Sequence, residues 1–124
     1  VALVINLSDA THHMIGAKQL AKMKKPAVLI NLSRGPAVDQ AALIDALENG
    51  GIAGAGLDVT TPEPLPEGHK LWDMPNVLIT PHFTASLPDR SERSLKMILD
   101  NLQRYRAGES MLNQISQEDL WSKS

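Results

Sequence analysis

Four residues of the 124-residue chain are of types that could do chemistry together: Arg34, Asp58, Glu63 and His82. A guanidinium presents a planar fork that matches a carboxylate at two points, a geometry that lysine does not reproduce. Arg34 stands in Ser33-Arg34-Gly35-Pro36, where Gly35 can supply an unusual backbone conformation. Glu63 lies between Pro62 and Pro64 on a stiff loop, and His82 ends the segment Thr80-Pro81-His82. An imidazole beside a carboxylate can give and take a hydroxyl proton near neutral pH, because the carboxylate favours the imidazolium. Singly, each residue has a plainer reading. Arg34 could be a surface arginine at a turn, Asp58 a turn cap, Glu63 a solvated loop charge, and His82 the partner of a buried hydrogen bond. Convergence changes the balance, since all four follow apolar runs and should meet at one edge of a sheet.

The elements that must position them are legible as periodicity. Val1 to Leu7, Ala27 to Leu32, Ile52 to Val59 and Val77 to Thr80 are short apolar runs, and the first two read as strands buried on both faces. Between the first two, Gly16 to Lys25 has helical spacing and ends in lysines before Pro26. Between the next two, Asp39 to Asn49 is a helix with Asp39 as N-cap and Gly50-Gly51 as the stop. Leu95, Ile98, Leu99 and Leu102 mark one face of a long amphipathic helix over 88–107, ended by Gly108. Strands alternating with helices predict an α/β fold, the second half of a doubly wound parallel sheet, whose ligands bind outside the carboxyl ends of the strands.

Composition is that of an ordinary soluble domain, 43% hydrophobic and 21% charged. A net charge of -2 provides no basic field for a polyphosphate backbone, so nucleic acid is not expected as a partner, and no apolar run has the length of a membrane span. The absence of cysteine is compatible with the cytoplasm. Val1 opens the chain inside an apolar run, and the expectation is a piece cut from something longer. Residues 1–115 are expected to form this C-terminal portion of a doubly wound domain together with its terminal helix, and 116–124 a polar tail.

The segments Ala27-Val-Leu-Ile-Asn-Leu-Ser-Arg-Gly-Pro-Ala-Val-Asp39, Ile52-Ala-Gly-Ala-Gly-Leu-Asp-Val59, Pro62-Glu-Pro-Leu-Pro66 and Asn76-Val-Leu-Ile-Thr-Pro-His82 run in one order. Together they resemble the signature set of the D-isomer-specific 2-hydroxyacid dehydrogenases, over about Val1 to Ile115. The resemblance implies a Rossmann-like domain and hydride transfer between NAD or NADP and a small 2-oxo or D-2-hydroxy acid. It implies Arg34 as the substrate-carboxylate anchor, His82 as the general acid/base and Glu63 as its orienting partner. Asp58 matches the position that contacts the nicotinamide carboxamide, and Ser33 the backbone beside the nicotinamide ring. Leu7 and Ser8 fall in a cofactor-contacting stretch that the family usually writes Leu-Thr-Pro-Glu-Thr, where this chain has Leu7-Ser-Asp-Ala-Thr11. After His82 the family commonly carries small residues, whereas Phe83 stands here. As a full-length protein it is expected to be a homodimer.

No Gly-x-Gly-x-x-Gly turn is present. The glycines from Gly50 to Gly56 precede a strand, whereas a pyrophosphate-binding turn must follow a strand and open a helix. The alternative reading is a non-catalytic protein of this fold that senses nicotinamide cofactors or only oligomerises, and intact Arg34, Glu63 and His82 argue against it. Without the pyrophosphate and ribose contacts, the chain by itself should bind NADH more weakly than micromolar; titration calorimetry checks this, and micromolar affinity would contradict it.

Overall fold

Four apolar runs become four parallel strands, β1 (Ala2–Leu3), β2 (Val28–Asn31), β3 (Gly54–Leu57) and β4 (Val77–Ile79), lying side by side in chain order. The computed structural model describes residues 1–84 and 87–115, and the chain divides into two compact units on either side of the 84/85 junction. The sheet belongs to the first. Each strand is shorter than its apolar run; in the first of them only two residues pair, and the chain then enters a turn over Ser8–Thr11. Register decides what comes next: Asn31 lies beside Leu57 and Leu57 beside Ile79, so three strands end level. Residues following them emerge along one edge.

Between β1 and β2 stands α1 (Ala17–Leu20), and between β2 and β3 stands α2 (Gln40–Glu48). The first helix is one turn long. Lys22 and Met23 continue it through bonds to carbonyls three residues back, the tighter pattern that ends a helix before Pro26. Asp39 caps α2 as its sequence implies, accepting a hydrogen bond from the Ala42 amide at 3.1 Å. Gly50, at φ +64, follows in the left-handed conformation that suits glycine at a helix end. Leu20, Leu43 and Leu47 from these helices join Leu3, Leu29, Ala55 and Leu57 from the strands in one buried cluster.

Burial along β2 alternates. Leu29 and Asn31 are inside, whereas Val28, Ile30 and the following Leu32 are exposed. The expectation of β1 and β2 buried on both faces is therefore corrected: a continuous apolar run permits burial on both faces but does not supply the second cover, and α1 and α2 pack on one face alone. A shallow apolar trough of about 710 Å³ runs along the other face past Val28, Ile30, Leu32, Gly56 and Leu78.

Two short 3-10 turns, Gly35–Ala37 and Lys70–Trp72, carry no sequence periodicity and were not expected. The first forms the tip beyond β2. A Cβ on Gly35 would stand 1.9 Å from the Thr60 carbonyl oxygen, so the glycine permits close approach of two backbones rather than a positive φ. In the second unit, α3 (Arg90–Ala107) begins two residues after the expected start and ends at Gly108, φ +71. Leu95, Ile98, Leu99 and Leu102 are exposed along it. The expected tail, 116–124, lies outside the described residues.

Because the atom facing Gly35 is main chain and cannot swing away, Gly35→Ala should lower stability by about 3 kcal/mol, the upper end of ordinary overpacking. Urea unfolding of the two proteins measures it, and an unchanged midpoint would mean that the two tips are not in contact.

Candidate active site

The site is assembled from the segments that leave the level strand ends. Beyond β2, the buried side chain of Asn31 organises the turn. Its Oδ1 accepts from the Ser33 amide at 3.1 Å and the Ser33 hydroxyl at 2.7 Å, and its Nδ2 donates to the Arg34 carbonyl at 3.0 Å. Ser33 is thereby buried with its hydroxyl engaged, and Arg34 is presented outward. The Arg34 Nη1 donates to the Ser33 carbonyl at 2.7 Å. Among the described residues Arg34 forms no ion pair, which leaves guanidinium donors for an external anion.

Beyond β3, Asp58 is buried at 3% exposure and has a ligand-like set of partners of its own. One oxygen accepts from the Thr80 hydroxyl at 2.5 Å and the Phe83 amide at 2.8 Å; the other accepts from the Thr84 amide at 3.0 Å and the Thr84 hydroxyl at 2.7 Å. Burial alone would raise the pKa of this carboxyl, but the donors from Thr80, Phe83 and Thr84 outweigh it and hold the group well below the usual carboxylate range. A carboxylate has about four acceptor positions. All are taken, so Asp58 reaches a further donor only by releasing one of these bonds.

Those bonds grip the chain on both sides of His82. The imidazole lies where the backbone reverses: His82 has φ +52, a conformation uncommon outside glycine, and its amide donates to the Thr80 carbonyl at 3.0 Å. Such a backbone costs about 1–3 kcal/mol and persists where the surroundings over-determine it; here Asp58 holds residues on both sides. The turn aims Nδ1 at Glu63 Oε1, 2.6 Å away, with both side chains about two-fifths exposed. With Nδ1 committed to the carboxylate, Nε2 is the nitrogen left for exchange with a ligand. A cavity of about 440 Å³ adjoins the pair, walled by Leu65, Trp72, Ile79 and Pro81.

Glu63 and His82 are brought into contact, and Asp58 is joined to the segment that carries His82. Arg34 is tied to the same edge indirectly, through Gly35 against Thr60, and its guanidinium bonds to the Ser33 carbonyl rather than to Glu63 or His82. Leu7 and Ser8 are half-buried at a turn where the Ser8 amide donates to the Thr11 hydroxyl at 2.7 Å. That turn is linked to the tip beyond β2 by a bond from the His13 amide to the Pro36 carbonyl at 2.8 Å. Asn31, Thr80 and Thr84 were missed. Asn31 had a signal, being a polar residue inside an apolar strand; the threonines had none. Among the described residues no cluster of histidines and acids could hold a metal ion.

Fold and site together define a class: a Rossmann-like α/β half-sheet whose carboxyl edge carries a hydrogen-bonded carboxylate and imidazole. The chain belongs to the D-isomer specific 2-hydroxyacid dehydrogenase family, whose NAD binding domain matches residues 1–84. A glyoxylate reductase from Korarchaeum cryptofilum is 43% identical over 118 residues, 95% of this chain and 36% of the relative. Among solved structures, a D-isomer specific 2-hydroxyacid dehydrogenase from Xanthobacter autotrophicus Py2 in complex with NADPH and MES superposes with TM-score 0.83 and 44% identity. That match covers 94% of this chain and 47% of the other. D-lactate dehydrogenase with NAD+ from Lactobacillus jensenii gives TM-score 0.82 at 37% identity, covering 94% and 39%. The chain spans about a third of the length of the curated relatives it matches.

A carboxyl whose folded pKa is depressed contributes stability that is complete above its unfolded pKa, about 3.9, and is lost as pH falls through the lower folded value. Thermal melts of the chain should therefore decline below about pH 4. Asp58→Asn should melt lower at neutral pH, with Thr84 donors left unmatched, and should show a flatter acid limb. Equal acid slopes in the two proteins would contradict the role given to Asp58.

Proposed function

We propose that the chain supplies the acid/base and carboxylate-anchoring residues of a dehydrogenase that interconverts a small 2-oxo acid and a D-2-hydroxy acid with NADH or NADPH. It would do so as the second half of the dinucleotide-binding domain plus terminal helix, residues 1–115, joined to the segment that its longer relatives carry. The observation that carries this reading is the Glu63–His82 pair at the sheet's carboxyl edge, with one imidazole nitrogen committed and the other free. That arrangement fits nicotinamide chemistry, since the ketone oxygen requires a proton donor and the substrate carboxylate a cation. When bound, the nicotinamide donates or accepts the hydride.

The residues do the rest. Arg34 holds the substrate carboxylate in a charge-assisted, two-pronged contact. His82, protonated, delivers its Nε2 proton to the carbonyl oxygen as that oxygen becomes a hydroxyl, and in the reverse direction takes it back. Glu63 accepts from Nδ1 throughout, orienting the ring and balancing the imidazolium charge. Partial exposure of the pair allows His82 to be reprotonated from water. Cofactor contacts are assigned to Leu7, Ser8, Ser33, Arg34 and Asp58. Of these, Asp58 acts first by fixing the Phe83–Thr84 backbone. The reading carries with it a cytoplasmic homodimer that acts on small molecules. Nucleic acid has no part in it, and no described helix is long and apolar enough to cross a membrane.

In the full-length protein, assayed with glyoxylate and either NADPH or NADH, His82→Ala should lower kcat by about 10²- to 10⁴-fold. Arg34→Lys keeps the charge and loses the fork, so KM should rise and kcat fall. Steady-state kinetics decide, and a His82→Ala enzyme of undiminished kcat would overturn the assignment.

A further inference from the structure

Glu63 lies on a connection that has no regular structure between the end of β3 and the turn at Lys70–Trp72, yet its carboxylate must meet His82 within a hydrogen bond. Something outside the loop has to hold it. We propose that Gln40 is a positioning residue for the acid/base pair, its carboxamide clamping both backbone polar atoms of Thr61 and so setting the loop from which Glu63 reaches His82. The inference rests on the acid/base reading of that pair.

Gln40 is the first residue of α2, next to the Asp39 cap, and α2 is anchored in the core by Leu43 and Leu47. Its Nε2 donates to the Thr61 carbonyl at 2.6 Å, while its Oε1 accepts from the Thr61 amide at 2.9 Å. A donor and an acceptor on one rigid planar group fix the orientation of the Thr61 backbone as well as its distance. Thr61 stands two residues before Glu63. Two further constraints act on the same stretch: the Thr60 hydroxyl donates to the Pro62 carbonyl at 2.9 Å, and Gly35 lies against the Thr60 carbonyl. Neither of those uses α2. Gln40 therefore links the loop bearing Glu63 to the best-anchored helix of the unit. His69 Nε2 lies 3.4 Å from the same amide nitrogen and closes the group on its other side.

A side chain that only stiffened the loop would change melting temperature and nothing at the imidazole. The discriminating observable is the tautomer of neutral His82, read from long-range proton–nitrogen spectra of the chain without ligand at alkaline pH. With Glu63 accepting from Nδ1, the wild type should populate the Nδ1–H form, whereas an unconstrained histidine favours Nε2–H. Gln40→Met removes both clamp bonds at similar size and should shift His82 toward Nε2–H. Gln40→Glu keeps the acceptor for the Thr61 amide but turns a carboxylate oxygen toward the Thr61 carbonyl, and should fall between the wild type and the methionine variant. Should the methionine variant fail to fold, Gln40→Asn, one methylene too short to reach Thr61, provides the same reading. In the full-length protein Gln40→Met should lower kcat by up to about 10²-fold, with a smaller change in KM. A wild-type tautomer in the folded methionine or asparagine variant overturns the clamp. A wild-type spectrum already dominated by Nε2–H overturns instead the pairing on which the clamp rests.

Discussion

The arrangement depends on a buried negative charge that has to be satisfied. Asp58 sits under the carboxyl edge of the sheet with almost no access to water, and an ionised carboxylate there is tolerable only if protein donors replace its hydration. The donors come from the end of β4 and from the two residues after His82. Satisfying the charge therefore constrains the path of the chain through His82, including a left-handed backbone that is uncommon outside glycine. The same four bonds that keep Asp58 ionised make the histidine turn rigid.

Parallel pairing makes this possible. With Asn31, Leu57 and Ile79 in register, three chain segments leave the sheet at one level, and short side chains suffice to bridge them. Asn31 shapes the first segment, Asp58 joins the second to the third, and Gly35 lets the first and second touch backbone to backbone. Polar residues that would be costly in the middle of a sheet are each fully bonded at its end, and among the described residues no buried side-chain polar atom lacks a partner.

The chemistry follows from what these bonds leave unengaged. Of the imidazole nitrogens, one is bound to Glu63 and one is open; of the guanidinium donors, one is bound to Ser33 and others are open. In the function proposed above, the open nitrogen exchanges a proton with the substrate oxygen and the open guanidinium donors hold its carboxylate. The proposal takes together membership of the D-isomer specific 2-hydroxyacid dehydrogenase family and the geometry of this edge.

Local information was enough for much of this. Apolar runs of strand length, a capped helix over Asp39 to Asn49 and a terminal helix ended by Gly108 are visible because hydrophobic periodicity and capping act over a few residues. Glu63 and His82 were legible as a pair because each follows a strand in a fold whose strand ends meet. Other features were not legible. Nothing near Gly35 in the chain indicates that its hydrogen faces Thr60, and a threonine such as Thr84 looks the same whether solvated or bonded to a buried carboxylate. The alternation in β2 was hidden for the same reason: Val28, Ile30 and Leu32 are apolar, and only the placement of α1 and α2 decides which face is covered. Sequence by itself determined the elements, their order and the chemical types at the strand ends. Tertiary structure decided which of those types touch, because register, close approach and the satisfaction of a buried charge are relations between segments that are distant along the chain.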